Sequence, residues 1–283
     1  MKVYTEKDII STEITALKSK DLKVGMVPTM GALHQGHLQL VIKALELNDV
    51  VVVSIFVNPT QFDNKTDLKK YPRTLESDVK LLETVSKNQI MVYAPSVDDI
   101  YEGNTVSQAF DFDGLEFEME GKFRDGHFDG VGTVVKRFFD IVKPHHAYFG
   151  EKDFQQLQII KKLVEKHNIP VKIIGCKIHR ESSGLAMSSR NMRLEPKYKT
   201  ASSFIYKTLK TAKIKFGTKS ANKVTEWVEN QFKNHDILEL EYFLIADVKT
   251  LKPVKRKSNK KKYRAFIAVY AGEIRLIDNI ALN

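Results

Sequence analysis

The pattern of apolar and polar positions divides the chain into two parts. In the first, short apolar runs alternate with segments of helical period. Residues 22–28 form a short, largely apolar run after a helical stretch. Residues 36–47 place Leu38, Val41, Ile42 and Leu45 on one helical face. Residues 50–57 read Val-Val-Val-Val-Ser-Ile-Phe-Val, the β-branched, apolar composition of a strand covered on both faces. Helical periods recur at 74–86, 131–142 and 153–167, and strand-like runs at 90–93, 147–149 and 171–176. Repeated βα units predict an α/β fold with a doubly wound parallel sheet, whose ligand lies at the carboxyl ends of the strands.

Beyond residue 178 the pattern changes. Residues 196–213 and 221–233 read as helices, followed by strand-like runs at 238–247, 265–271 and 274–279. Ala271-Gly272-Glu273 is a hairpin signal between the last two. A smaller C-terminal α+β domain with a mostly antiparallel sheet is expected, giving domains of 1–178 and 179–283. No internal repeat is present.

Composition narrows the class. With 283 residues and 42% hydrophobic content, the chain can bury one large core, or a large and a small one. No apolar run approaches the roughly 20 residues of a membrane helix. Met1-Lys2-Val3-Tyr4-Thr5-Glu6 lacks the apolar core of a signal peptide. A single cysteine, Cys176, excludes an internal disulfide framework and a multi-cysteine zinc site. These features predict a cytoplasmic protein with no membrane partner.

The formal net charge is +10, but seven basic residues lie between Lys252 and Lys262, a stretch with no acidic residue. One basic loop reads as a solvated turn, and charge alone predicts only non-specific attraction, so no nucleic-acid partner is expected.

The strand ending at Pro28 runs into Thr29-Met30-Gly31-Ala32-Leu33-His34-Gln35-Gly36-His37 and then into a helix. The first turn of a helix offers unpaired N–H groups and the positive dipole end, which suits phosphates. Gly31 and Gly36 permit close backbone approach. His34 and His37, three residues apart, can face one ligand and donate to phosphate oxygens as charge develops on a leaving pyrophosphate. Neither G-x-G-x-x-G after a strand nor G-x-x-x-x-G-K-[ST] occurs, so a Walker loop is excluded. A pair of surface or core histidines at a helix start and a histidine metal site are the alternatives, the latter without a suitable third ligand nearby.

Three further segments hold candidate chemistry. Asn58 and Gln61 follow the most hydrophobic strand and offer neutral donors and acceptors for a hydroxy acid or an amine; ordinary Asn-Pro turn chemistry also explains them. In Gly150-Glu151-Lys152-Asp153-Phe154-Gln155-Gln156, Lys152 can neutralise phosphate and Gln156 lies one turn on, against the alternative of a helix start capped by Asp153. Met187-Ser188-Ser189-Arg190 is a polar loop suited to clamp outer phosphates, or a flexible linker. Cys176 reads as a core thiol, His145-His146 as the start of a strand, Asp98-Asp99 as a helix cap in preference to carboxylates near magnesium, and Trp227 as packing. Gly121-Lys122-Phe123-Arg124-Asp125-Gly126-His127-Phe128 lines a pocket or forms a surface loop.

Taken in order, these motifs closely resemble the pantothenate synthetase (pantoate–β-alanine ligase) family. The resemblance also includes Tyr71-Pro72-Arg73-Thr74, His127-Phe128-Asp129-Gly130-Val131 and Gly184-Leu185-Ala186. It implies a Rossmann-like nucleotidyl-transferase fold, with an ATP- and pantoate-binding domain over 1–178 and a lid domain over 179–283. It implies ATP as substrate with Mg2+, a pantoyl-adenylate intermediate, β-alanine as acceptor, small-molecule partners and a homodimer. By position, the ATP contacts fall on Met30, Gly31, Ala32, Leu33, His34, Gln35, Gly36, His37, Gly150, Glu151, Lys152, Asp153, His179, Met187, Ser188, Ser189 and Arg190. Gln61 and Gln156 hold pantoate, Gln61 also lies near β-alanine, and His37, His34 and Lys152 carry the catalytic roles. Two departures stand out. Ser182-Ser183 occupy positions where the family often has an acidic residue before the glycine. Asp63-Asn64-Lys65 lacks the Gly/Pro character common in that lid.

Overall fold

Parallel pairing of β-branched runs builds the larger sheet. The computed structural model describes residues 1–62, 65–254 and 256–283, and of residues 65–67 the backbone alone. Asp63 and Asn64 of the anticipated lid, and Lys255 of the basic loop, lie outside the described residues. Two compact units emerge: residues 1–151 with 155–177, and residues 152–154 with 178–283.

The first unit begins with β1 (Lys2–Tyr4), α1 (Lys7–Lys18), β2 (Val24–Thr29), α2 (Gln35–Leu45) and β3 (Val50–Ile55). It continues through α3 (Lys65–Lys70), α4 (Leu75–Glu83), β4 (Ile90–Tyr93) and α5 (Val97–Tyr101). The long α6 (His127–Val142), β5 (His146–Gly150), α7 (Phe154–Lys166) and β6 (Lys172–Cys176) complete it, with Phe154 itself grouped in the second unit. The strand order is β1-β4-β3-β2-β5-β6, every pair parallel. The doubly wound reading of the sequence therefore holds. Val51, Val52 and Val53 are fully buried, as a strand covered on both faces requires.

The order reverses between β2 and β5, so the topological switch point lies there. A proline opens the sheet at that place. Thr29 bonds toward β3: its N–H donates to Ser54 Oγ at 3.3 Å and its carbonyl accepts from Phe56 N at 3.1 Å. Backbone groups alternate sides along a strand, so the nitrogen of Pro28 faces β5, where it has no proton to donate. The β2–β5 ladder stops at Met26, whereas β2–β3 continues to Thr29. The carboxyl end of β2 is therefore left unpaired on its β5 side.

The second unit carries α8 (Pro196–Ala201), α9 (Ser203–Thr218), α10 (Ala221–Lys233), β7 (Leu238–Asp247), β8 (Tyr263–Ala271) and β9 (Ile274–Ala281). Its sheet runs β7-β8-β9 and is antiparallel, as expected from the hairpin signal. One face packs Phe243, Ile245, Tyr263, Ala265, Ile267 and Val269 against Leu209, Phe216, Val224, Val228 and Phe232 of α9 and α10. Trp227 packs at the margin of this core, as read from the sequence.

Several element boundaries differ from expectation. The helix expected at 196–213 is two helices, because the chain turns at Ser202 and restarts. α6 begins one turn early, at His127, after Gly126 at φ +71°. The edge strand β1 has no apolar signature, and only its pairing with β4 defines it. No helix among the described residues is long and apolar enough to cross a membrane.

Candidate active site

The turn after β2 is held from beneath by a buried carboxylate. Gly31 and Ala32 both adopt left-handed backbone, at φ +80° and +50°, which turns the chain sharply before α2. Asp78 of α4, 2% exposed, accepts from Ala32 N at 3.0 Å and Leu33 N at 2.8 Å. Thr74 Oγ1 donates to the same carboxylate at 3.2 Å. Gly31 N is satisfied by Thr29 Oγ1, which in turn donates to Ser54 O at 2.6 Å. The sequence reading missed Asp78, since nothing local marks a carboxylate 46 residues away as the partner of this turn.

His34 is the N-cap of α2 and forms a reciprocal box with His37. His34 Nδ1 accepts from Gly36 N at 3.1 Å, and His37 Nδ1 accepts from His34 N at 3.3 Å. The rings lie 4.1 Å apart, tilted by 33°. With both Nδ1 atoms accepting, the geometry places each ring proton on Nε2, so both rings are N–H donors at the start of a helix. That is chemistry for an anion whose charge grows. Gly150 ends β5, on the other side of the switch point, and Glu151 opens the 3-10 turn that follows, in keeping with the strand-to-helix reading of this segment.

Beside this turn lies a neutral polar cluster. Gln61, 9% exposed, donates from Nε2 to Met30 Sδ at 3.2 Å and accepts at Oε1 from Asn58 Nδ2 at 3.1 Å. Tyr101 OH donates to Asn58 Oδ1 at 2.6 Å, and burial raises its phenol, so it remains a donor. The main-chain oxygen of Gln61 accepts from Arg124 Nη2 at 3.1 Å and His127 Nδ1 at 2.9 Å. The segment at 121–128 thus fixes the Gln61 turn through Arg124 and His127, a role not among the pocket lining and surface loop read from its composition. A Cβ at Gly130 would fall 2.5 Å from the Thr60 carbonyl, so only glycine lets α6 approach this turn. Gln156 is half-buried in the first turn of α7. Its neighbour Gln155 is spent on structure, donating to Leu115 O and Glu118 O at 2.8 and 2.6 Å.

The remaining candidates belong to the second unit. Lys152 and Asp153 sit in a short 3-10 turn, 3.6 Å apart. His179 accepts at its carbonyl from Met187 N at 3.0 Å, and Arg180 pairs with Ala186 as an antiparallel bridge. This small hairpin presents Met187, Ser188, Ser189 and Arg190, with Ser188 Oγ accepting from Arg190 N at 3.2 Å. Lys152, Ser188, Arg190, Asn191 and Asp278 line a narrow cavity of about 10 Å³. Burial pushes the Asp278 carboxyl above its ordinary value, and the Arg180 guanidinium opposes that shift.

Other residues have structural roles. Ser96 caps α5, and Asp99 accepts from Lys7 N and Tyr93 OH, so Asp98-Asp99 form the first turn and not the cap itself. His145 Nδ1 accepts from Val24 N, and His146 opens β5 bonded to Asn48 Oδ1. Cys176 is buried, its thiol pushed up to about 11 by burial. Among the described residues, no group of three or more His, Cys, Asp or Glu side chains is placed to hold a metal ion.

Comparison with known proteins agrees along the whole chain. The pantothenate synthetase of Flavobacterium psychrophilum is 58% identical over 283 residues, covering all of both chains. The crystal structure of pantothenate synthetase from Thermus thermophilus superposes with a TM-score of 0.89 at 35% identity, covering 100% of this chain and 99% of that one. A pantoate–β-alanine ligase from Francisella tularensis, solved in complex with β-γ ATP and β-alanine, superposes at 0.79 with 35% identity, covering 100% and 98%. The sequence model of the Pantoate-beta-alanine ligase family matches residues 2–281. A histidine-capped turn at the switch point, a neutral polar cluster beside it and full-length similarity lead to one conclusion: the chain belongs to the pantoate–β-alanine ligase family.

Proposed function

We propose that this ligase condenses (R)-pantoate with β-alanine in two steps, with ATP's phosphates received at the His34–His37 turn. The observation that carries the reading is the reciprocal His34–His37 box, which fixes two imidazoles at a helix start directly after β2, a strand bordering the sheet's switch point. In the first step a pantoate carboxylate oxygen bonds to the α-phosphorus, and the bond from that phosphorus to the bridging oxygen breaks. Pyrophosphate leaves with the electron pair. In the second, the β-alanine amine attacks the acyl carbon, loses a proton, and AMP departs.

The residue roles follow the chemistry of each group. His37 and His34 donate to phosphate oxygens as charge accumulates on the leaving group, and Lys152 neutralises it. The backbone of Met30, Gly31, Ala32, Leu33, Gln35, Gly36, Gly150, Glu151, Asp153 and His179 lines the nucleotide. Met187, Ser188, Ser189 and Arg190 close on the outer phosphates. Gln61 and Gln156 hold pantoate through neutral hydrogen bonds, with Gln61 also near β-alanine. A neutral pocket discriminates against a phosphorylated acceptor, which would call for cations. Without a cluster of three candidate ligands among the described residues, Mg2+ fits best as a passenger on ATP's phosphates with its own waters.

In this reading, residues 1–178 hold ATP and pantoate and residues 179–283 supply the lid. The enzyme is a cytoplasmic homodimer; light scattering on the eluting protein tests the assembly. Pyrophosphate–ATP exchange tests the chemistry. Exchange should require pantoate and proceed without β-alanine, and His37→Ala and Lys152→Ala should each lose most of it while the fold survives. No exchange with pantoate, ATP and magnesium over folded protein would sink the two-step route.

A further inference from the structure

Two adjacent side chains on the edge strand β9 reach both candidate phosphate-contacting segments of the second unit. Asp278 is 4% exposed and Asn279 is 2% exposed. Arg180 grips Asp278 with two parallel bonds, Nη1 to Oδ2 at 2.6 Å and Nη2 to Oδ1 at 2.9 Å. The same guanidinium donates to Gly184 O at 3.1 Å and lies 3.7 Å from the Tyr206 ring centroid. Arg180 therefore ties β9 to the turn of the hairpin that presents Met187–Arg190. A planar guanidinium held by carboxylate, carbonyl and ring has little freedom left.

Asn279 does the equivalent for Lys152. Its Nδ2 donates to the Lys152 carbonyl at 2.8 Å, and its Oδ1 accepts from Arg264, whose guanidinium stacks 4.1 Å over Phe154. Asn279 N also donates to Asp278 Oδ1 at 2.7 Å, which joins the two arms. Lys152 and Arg190 are far apart in sequence, yet both are referred to consecutive residues of one strand. The cavity they share is bounded by Asp278.

We propose that Asp278 and Asn279 are positioning residues: a two-armed bracket on β9 that sets the spacing between Lys152 and the Met187–Arg190 loop for ATP's phosphates. This rests on the reading that those segments contact ATP. Buried polar groups of this kind are costly to leave half-paired, so their function is geometric and their replacement by near-isosteres is informative. Loosening that spacing weakens the grip on ATP's phosphates, which is read in KM for ATP.

The test uses full-length protein in pyrophosphate–ATP exchange, with KM for ATP, KM for pantoate and kcat measured separately. Asn279→Asp keeps size and the acceptor for Arg264 but replaces the donor to Lys152 O. Asp278→Asn keeps size but breaks the pairing with Arg180. For both, KM for ATP should rise by about tenfold or more while KM for pantoate stays unchanged, since Gln61 and Gln156 lie outside the bracket. A purely architectural role would instead lower kcat with both KM values intact, and that result overturns the proposal. Should Asp278→Asn fail to fold, Asn279→Asp decides alone. Lys152→Ala runs alongside. An exchange rate and a KM for ATP that both match wild type there overturn the underlying site reading. A raised KM there with unaltered values in both β9 variants overturns the bracket only.

Discussion

Asp78 shows how one buried carboxylate can set up a site it need not touch. Its two oxygens satisfy the N–H groups of Ala32 and Leu33 in a turn of left-handed residues. Asp78→Ala orphans both donors, and each buried unsatisfied group costs about 1–3 kcal/mol. We expect a stability loss of about 3 kcal/mol in urea denaturation and a large drop in exchange. Asp78→Asn, which keeps one acceptor, should fall between. Wild-type stability in the alanine variant would mean that the turn holds itself. Cys176 makes the opposite case, a reactive residue type made inert. With its thiol pushed up to about 11 by burial, about one part in a thousand is thiolate at pH 8. Alkylation of the native protein at that pH should be far slower than of the urea-unfolded chain, followed by mass spectrometry. Equal rates would contradict the burial.

At the scale of elements, close approach decides more than propensity. α6 reaches the Gln61 turn only because Gly130 has no Cβ, which would meet the Thr60 carbonyl at 2.5 Å. Gly130→Ala must push the helix or the turn aside, costing about 1–3 kcal/mol. Because the displaced turn carries Gln61, KM for pantoate should rise more than KM for ATP, read from exchange kinetics. A variant with unaltered pantoate KM would argue that the turn yields without moving Gln61. The contrast is Ser220, which caps α10 through its bond from Lys223 N at 3.3 Å. Ser220→Ala should cost about 1 kcal/mol of stability and leave exchange unchanged. The elements were legible where the apolar pattern is strong, as an unbroken β-branched run in β3 and a helical period in α10. They were not legible where pairing alone defines them. β1 is three residues of mixed polarity, and the break at Ser202 interrupts a pattern that reads as one helix.

For the whole molecule, the order of βα units, the switch to an antiparallel C-terminal sheet and the histidine turn could all be read along the chain. What could not be read were the residues that act across it. Asp78, Tyr101, Asp278 and Asn279 lie 43 to 127 residues from the partners that give them a role. Each is a commonplace residue with no local motif, so only folding reveals its use. Charge has a long-range expression too. Hydrogen bonds from the N-terminal amine hold Glu83 below its ordinary carboxylate value, and those from Lys7 do the same for Glu102. Lys166 depresses Asp111 and Asp113, with Lys162 also acting on Asp113. The unfolded chain binds more protons at these sites, so their contribution is complete above about pH 5 and is lost as pH falls through about 4 and below. Thermal midpoints by circular dichroism should fall steeply below about pH 4. A midpoint that stays level through that range would show that these exposed pairs add nothing, as surface pairs sometimes do.

Pro28 gives the sheet a permanent notch. Most clefts are shaped by side chains and can be filled or widened by exchanging them. Here the zip between β2 and β5 stops at an imide nitrogen, and its continuation would need a proton that residue 28 does not possess. The carboxyl end of β2 is thus kept from gaining one more rung toward β5, whatever happens to the side chains around it.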